Sequence, residues 1–175
     1  MVTAAGSRVV IRGLLLARQE ANVLLNVSAS RHYAPSVYAL TNTFDVLAGV
    51  PRKLNILRQP DMCSGGSVCS VQPVLQLLDG SGNILAKPLI SLFAIAKSLD
   101  TIIAVRPMPS NSWTAISNSS GIVVFTDILI AVSGRYEMIF FGQSILNMSS
   151  QAVQVVVGNL AQALMIVPPT ELVTS

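Results

Sequence analysis

Asp79-Gly-Ser-Gly-Asn83 has the D-x-S-x-N spacing with which a calcium loop begins. A hard cation takes several oxygens from one short loop, and an EF-hand completes its set with an acidic residue at the twelfth position. That position is Ile90, whose side chain carries no oxygen. The stretch therefore reads as a tight turn, since Asp, Gly and Asn each favour turn conformations. A calcium site shared between loops, drawing on Asp61 or Asp127, is the alternative.

Cys63 and Cys69 form a C-x5-C pair around Gly65 and Gly66. A zinc site needs two further ligands, and the single histidine is His32, in another part of the chain. A redox pair is more often C-x-x-C. The expected product is a local disulfide in an oxidising compartment, with two reduced thiols in a cytosolic loop as the alternative. Three sequons, Asn26-Val-Ser28, Asn118-Ser-Ser120 and Asn147-Met-Ser149, are glycosylation candidates. Asn118 and Asn147 are expected in loops and Asn26 near a strand end.

Nucleophilic and acid–base chemistry finds little to work with. A Ser/His/Asp triad needs a histidine between a serine and an acid, and His32 stands alone in Ser30-Arg-His-Tyr-Ala-Pro35. Asp100, Asp127 and Glu137 could supply paired carboxylates for glycoside hydrolysis, but no pattern puts two of them in one cleft. Trp113 with Tyr136 could form a sugar-stacking platform; the preferred reading has Trp113 covering the open end of a core. No glycine-rich phosphate loop precedes a helix, and no cofactor motif occurs. The expectation is a non-enzymatic chain without cofactor or metal.

Composition narrows the partners. Apolar residues make up 51% and charged residues 11%, against about 25% charged in ordinary domains. The surface is thus neutral-polar, covered or glycosylated. The net charge of +3 comes from basic residues scattered singly, with no run beyond Arg52-Lys53, which argues against a nucleic-acid interface. Mean hydropathy is +0.62, yet no window of about 20 residues is clean enough to span a bilayer. The window 88–105 holds Lys97 and Asp100, and the uncharged run 138–170 is broken by Asn147, Gln151, Gln154, Asn159 and Gln162. Arg8 and Arg12 before Gly13-Leu-Leu-Leu-Ala17 imitate a signal peptide, but the apolar core falls short of the ~7–15 residues required.

The elements that would position these residues show an internal repeat. Val9, Ile11, Leu14 and Leu16 match Val123, Phe125, Ile128 and Ile130. Phe44-Asp-Val-Leu-Ala-Gly49 matches Val153-Gln-Val-Val-Val-Gly158, and Leu54-Asn-Ile-Leu57 matches Leu164-Met-Ile-Val167. The offset is 114 at Val9/Val123, 109 at Phe44/Val153 and 110 at Leu54/Leu164, as for strands kept in register while loops change length. A period of roughly 110 residues is about one immunoglobulin-like sandwich. The chain thus divides into the C-terminal half of one repeat (1–49), a complete domain (50–158) and the first strand of a following repeat (159–175).

Period-two alternation between Gly, Pro, Ser and Asn clusters predicts an all-β sandwich. Seven strands are expected in the complete domain: 53–58, 70–78, 89–97, 101–106, 122–130, 136–142 and 152–157. Pro73 inside the second implies an edge position or a bulge. Residues 94–104, rich in Ala, Lys and Leu, have a helix as their alternative, and 107–120 reads as a long polar connection. Val74 or Leu75, Phe125, Tyr136, Met138 and Phe140 are expected in the core. Residues 1–49 offer counterparts of the last three strands only.

Arg58-Gln-Pro60, Gln72-Pro-Val-Leu-Gln-Leu-Leu-Asp79, Gly82-Asn83, Gly121-Ile-Val-Val-Phe-Thr-Asp-Ile128 and Gly134-Arg-Tyr136 follow one another in the middle of the chain. This succession resembles immunoglobulin-like repeats of the invasin/filamin type, which recur in tandem in large cell-surface proteins. The resemblance implies an immunoglobulin-like β-sandwich whose motif residues are structural. It further implies a spacer or adhesive module at the cell surface, with neighbouring repeats or other protein chains as partners. The rivals are a carbohydrate-binding module and a cytosolic filamin-like scaffold.

Overall fold

In the computed structural model of the chain, residues 2–5, 8–31, 34–100 and 112–158 are described. They form fourteen β-strands and no helix. The strands are β1 (Val2–Ala5), β2 (Arg8–Ile11), β3 (Glu20–Val23), β4 (Asn26–Arg31), β5 (Ala34–Leu40), β6 (Phe44–Val46) and β7 (Pro51–Arg58). They continue with β8 (Cys63–Ser64), β9 (Val74–Asp79), β10 (Ser91–Ser98), β11 (Trp113–Ile116), β12 (Ile122–Val124), β13 (Gly134–Gly142) and β14 (Ile145–Val156).

Alternation builds the middle of the chain. In β13, Tyr136, Met138 and Phe140 point inward and none is more than 2% exposed, because successive strand side chains take opposite faces. β13 lies between β10 and β14 in a five-stranded sheet of order β11-β10-β13-β14-β8. All its pairings are antiparallel except β14 with β8, which is parallel. A three-stranded sheet, β12-β9-β7, faces it. Leu75, Leu77 and Val123 from that sheet join Leu92, Ala94, Met138, Phe140, Val153 and Val155 in one buried cluster. The rings of Phe125 and Phe140, 5.6 Å apart, meet within it.

The structure corrects several expectations. Residue 113 begins an edge strand, not part of a long connection: β11 pairs with β10, Trp113 opposite Ala94, and the indole is 8% exposed on the inner face. Pro73 lies outside β9, which is the central strand of its sheet and starts one residue later. Its backbone still contributes, since Pro73 O accepts the Phe125 N–H at 3.2 Å. The expected strand 122–130 is regular only over β12. The last expected strand is longer, twelve residues in β14. Between 94 and 98 the strand reading holds against the helix, because Ala94 and Ala96 stand opposite Phe140 and Met138, where only a small side chain fits. The expected strand 101–106 and the segment 159–175 lie outside the described residues.

The three strands expected over 1–49 become six short ones in three antiparallel pairs: β1 with β2, β3 with β6, and β4 with β5. The last two pairs continue one another, Thr41 N–H donating to Leu25 O at 3.0 Å between them. Together they make a long, interrupted hairpin.

Candidate functional site

The turn closing β9 is where the N-terminal hairpin meets the middle of the chain. Asp79 Oδ1 accepts the backbone N–H groups of Ser81 and Asn83, each at 2.9 Å. Its Oδ2 accepts Gly49 N–H at 2.9 Å and Asn83 Nδ2 at 2.8 Å. A carboxylate has about four acceptor positions, and these four donors fill them. Hydrogen bonds to the ionised form favour it. The Gly49 N–H, and then the Asn83 amide, hold the Asp79 carboxyl far below the usual carboxylate range, although burial opposes them. With its lone pairs taken up by N–H donors, Asp79 has none left for a cation, so 79–83 is a turn in the sense its residue types suggest.

Asn83 reaches outward from the same turn. Its Oδ1 accepts Gln19 N–H at 3.0 Å, and its Nδ2 also donates to Ala17 O at 2.8 Å. Residues 17–19 lead into β3, and Gly49 follows β6. Asp79 and Asn83 therefore grip both legs of the N-terminal hairpin at its base. Beside this clamp runs a groove of about 560 Å³ lined by Val50, Pro51, Leu89 and Phe93 among others, with Arg52 the one ionisable residue on its wall among the described residues. Arg52 Nη1 donates to Ser144 O at 3.4 Å across it.

Cys63 and Cys69 are joined in a disulfide, Cα to Cα 4.2 Å, and both are buried. The ring they close is docked on β14 and on the irregular segment 128–130. Gly65 N–H donates to Val156 O at 2.8 Å, Gly66 N–H to Ile130 O at 3.1 Å, and Cys69 N–H to Ile128 O at 2.9 Å. Gln72 secures it from the side, donating to Cys69 O at 2.7 Å and accepting Ile128 N–H at 3.2 Å. Replacing both cysteines with alanine is expected to cost about 2 kcal/mol through the chain entropy of so small a ring, roughly 10 °C in Tm. Thermal unfolding of the double variant measures this, and thiol titration of unreduced native protein should find no reactive group.

The remaining candidates do not assemble. Asp100 Oδ2 accepts Arg135 N–H at 2.7 Å, Glu137 lies 3.9 Å from Lys97 Nζ, and Asp61 Oδ1 accepts Met62 N–H at 2.7 Å. Among the described residues, no three metal-ligating side chains come together. Tyr136 and Trp113 are both buried, which removes them as a sugar platform. Burial, and secondarily Asp100, raise the Tyr136 hydroxyl pKa. His32 lies outside the described residues.

Of the sequons, Asn26 opens β4 and is exposed. Asn118 is exposed in the turn between β11 and β12, its Oδ1 accepting Ser120 and Ile122 N–H at 2.9 and 3.0 Å. Asn147 is exposed but lies within β14, not in the expected loop; polar residues suit the outward positions of this strand.

No family model matches this sequence, and no curated protein matches it. Sequence reasoning missed three polar side chains that hold the sheets together. Gln76, buried, donates to Ser120 O and Gly121 O at 3.1 and 3.2 Å. Ser117 Oγ donates to Lys87 O at 2.7 Å and accepts Ile90 N–H at 2.9 Å. Ser150 Oγ accepts Met138 N–H at 2.9 Å, where the β13–β14 register slips. All three work on distant backbone, so no local spacing betrays them. No helix among the described residues is long and apolar enough to cross a membrane.

Proposed function

We propose that the chain is a non-catalytic immunoglobulin-like repeat of an extracellular or cell-surface protein, acting as a spacer or interaction module with a fixed joint. The observation that carries this is the clamp: Asp79 and Asn83 hold 17–19 and Gly49, both legs of one unit, to the end of the next. A flexible linker has no such bonds. The strand order supports the immunoglobulin-like reading, since that fold places its A, B and E strands in one sheet and C, F and G in the other. Here β7, β9 and β12 share one sheet and β10, β13 and β14 the other. The disulfide supports an oxidising compartment over the cytosolic scaffold.

The carbohydrate-binding reading has one observation in its favour. Phe93 and Phe141 stack 5.6 Å apart on the outer face of the five-stranded sheet. Each ring turns one face to the other, which leaves less open ring surface than a sugar platform needs.

The joint is tested by Asn83→Ala. Limited proteolysis should cleave the variant between 12 and 25 at least several-fold faster than the parent, with 50–158 equally resistant in both. Acid should act in the same direction. The folded Asp79 carboxyl titrates below its unfolded value of about 4, so its stabilisation is complete above that pH and is lost as pH falls toward the folded value. Identical cleavage of variant and parent at neutral pH would reject the fixed joint.

A further inference from the structure

The groove beside the clamp holds a leucine where a leucine is costly. Leu89 sits at φ +64°, a region that residues with a Cβ enter only at a cost, and its side chain is 81% exposed. Burial does not account for the choice, and Gly, Asn or Asp would take this backbone conformation more readily. The backbone there is fixed all the same. Leu89 N–H donates to Ser117 O at 3.1 Å and Ser117 N–H to Ile90 O at 2.9 Å, while Ser117 Oγ accepts Ile90 N–H at 2.9 Å. Strained residues that the surrounding bonds over-determine cluster at ligand clamps and other functional sites.

The same groove carries a cation. Arg52 is exposed, and its one bond here, from Nη1 to Ser144 O, is long at 3.4 Å. Among the described residues no carboxylate pairs with it, the one ion pair being Lys97 with Glu137. Val50, Pro51, Leu89 and Phe93 supply apolar surface around it. The walls come from the interior of the chain: the start of β7, the segment leading into β10 with β10 itself, and the turn between β13 and β14. The volume of about 560 Å³ falls within the ~300–1,000 Å³ of small-molecule sites, which are mostly apolar with a few placed polar groups.

We propose that this groove binds a small amphipathic carboxylate, with the acid group on Arg52 and an aliphatic body against Val50, Leu89 and Phe93. A planar guanidinium matches a carboxylate through two parallel hydrogen bonds. With Arg52 the one cation on the wall among the described residues, a monoanion is balanced and a doubly charged phosphate ester is not. A small hydrophilic anion would leave Leu89 as wet as it is without a ligand, so the exposed leucine calls for an apolar body on the acid.

The probe is octanoate, with 1-octanol as its uncharged counterpart. Titrated into the full chain, octanoate should bind saturably with a Kd of about 1 mM or tighter. The amide resonances of Arg52, Leu89, Ile90, Ser91 and Ser144 should move most. Arg52→Gln should weaken octanoate by about tenfold or more and leave octanol nearly unchanged. Leu89→Asn should weaken both, while its urea midpoint stays level or rises, because asparagine enters the left-handed region readily. A leucine that only stabilised the fold would lower that midpoint on removal. Absence of saturable binding, octanoate binding equally to the Arg52→Gln variant, or resonance shifts centred elsewhere would overturn the proposal. So would a lowered midpoint in Leu89→Asn with octanoate affinity retained. Neither variant alters Asp79 or Asn83, so the groove and the fixed joint fail separately.

Discussion

Gly121→Ala is expected to cost roughly 3 kcal/mol, among the largest effects of any single methyl in the chain. Gly121 sits at φ +70°, a region that residues with a Cβ enter only at a cost. The added Cβ would also run into the carbonyl oxygen of Leu85, with nothing soft between them. Leu85 cannot retreat easily: its N–H donates to Leu77 O at 3.0 Å and its side chain is buried. Gly121 itself is held on both sides, its N–H donating to Asn118 O at 2.9 Å and its carbonyl accepting Leu77 N–H at 3.0 Å. Strain and collision therefore add at a point where two turns are locked together. Urea unfolding followed through the single tryptophan, Trp113, measures the loss. Gly80→Ala is the control: its nearest neighbour is the flexible Arg52 Cγ at 3.8 Å, and its effect should stay within about 0.5 kcal/mol. Equal effects at the two positions would reject the account.

What was legible in the sequence is what alternation writes. Tyr136, Met138 and Phe140 could be assigned to one face because Arg135, Glu137 and Ile139 separate them, and a strand turns every second residue the same way. Asp79 and Asn83 could be assigned to a turn because their residue types favour one. The illegible parts fail for physical reasons. β8 is two residues long, too short to carry any period. β11 is a four-residue edge strand following a polar stretch, so its inward Trp113 and Ala115 have little pattern around them. β10 reads partly as a helix because its inner face must be small, and alanine also has the highest helix propensity. Asn147, Ser149 and Ser150 read as a loop because they are polar, yet β14 needs polar residues facing water and uses Ser150 to satisfy Met138 N–H.

The clamp was half legible. Its turn is written locally, but its function lies in bonds from Asp79 to Gly49 and from Asn83 to Ala17 and Gln19. Those bonds end on backbone groups, which every residue type carries. The same holds for Gln72, whose place in the Gln-Pro-Val motif reads as structural but carries no sign that it ties the disulfide ring to Ile128. A sequence announces the side chain at one end of a hydrogen bond, and not the distant backbone group at the other.

Phe140→Ala is expected to cost about 3–5 kcal/mol, a large share of the ~5–15 kcal/mol that holds a domain together. The ring is fully buried on β13, the middle strand of the larger sheet. Its neighbours offer no means of closing the gap. Ala94, opposite on β10, has no atoms to extend into it. Phe125, 5.6 Å away by ring centroids, is held at the start of β9 by its N–H bond to Pro73 O. The cavity would therefore persist, and the loss of packing adds to the loss of burial. Phe141, one residue along, makes the opposite case. It lies on the outer face, half-buried, stacked on Phe93, and its removal should cost about 1 kcal/mol. Urea midpoints for the two variants, with the m-value unchanged, give the comparison. A Phe141 loss equal to or greater than that of Phe140 would mean that the stabilising core is not the one enclosed between β12-β9-β7 and the five-stranded sheet.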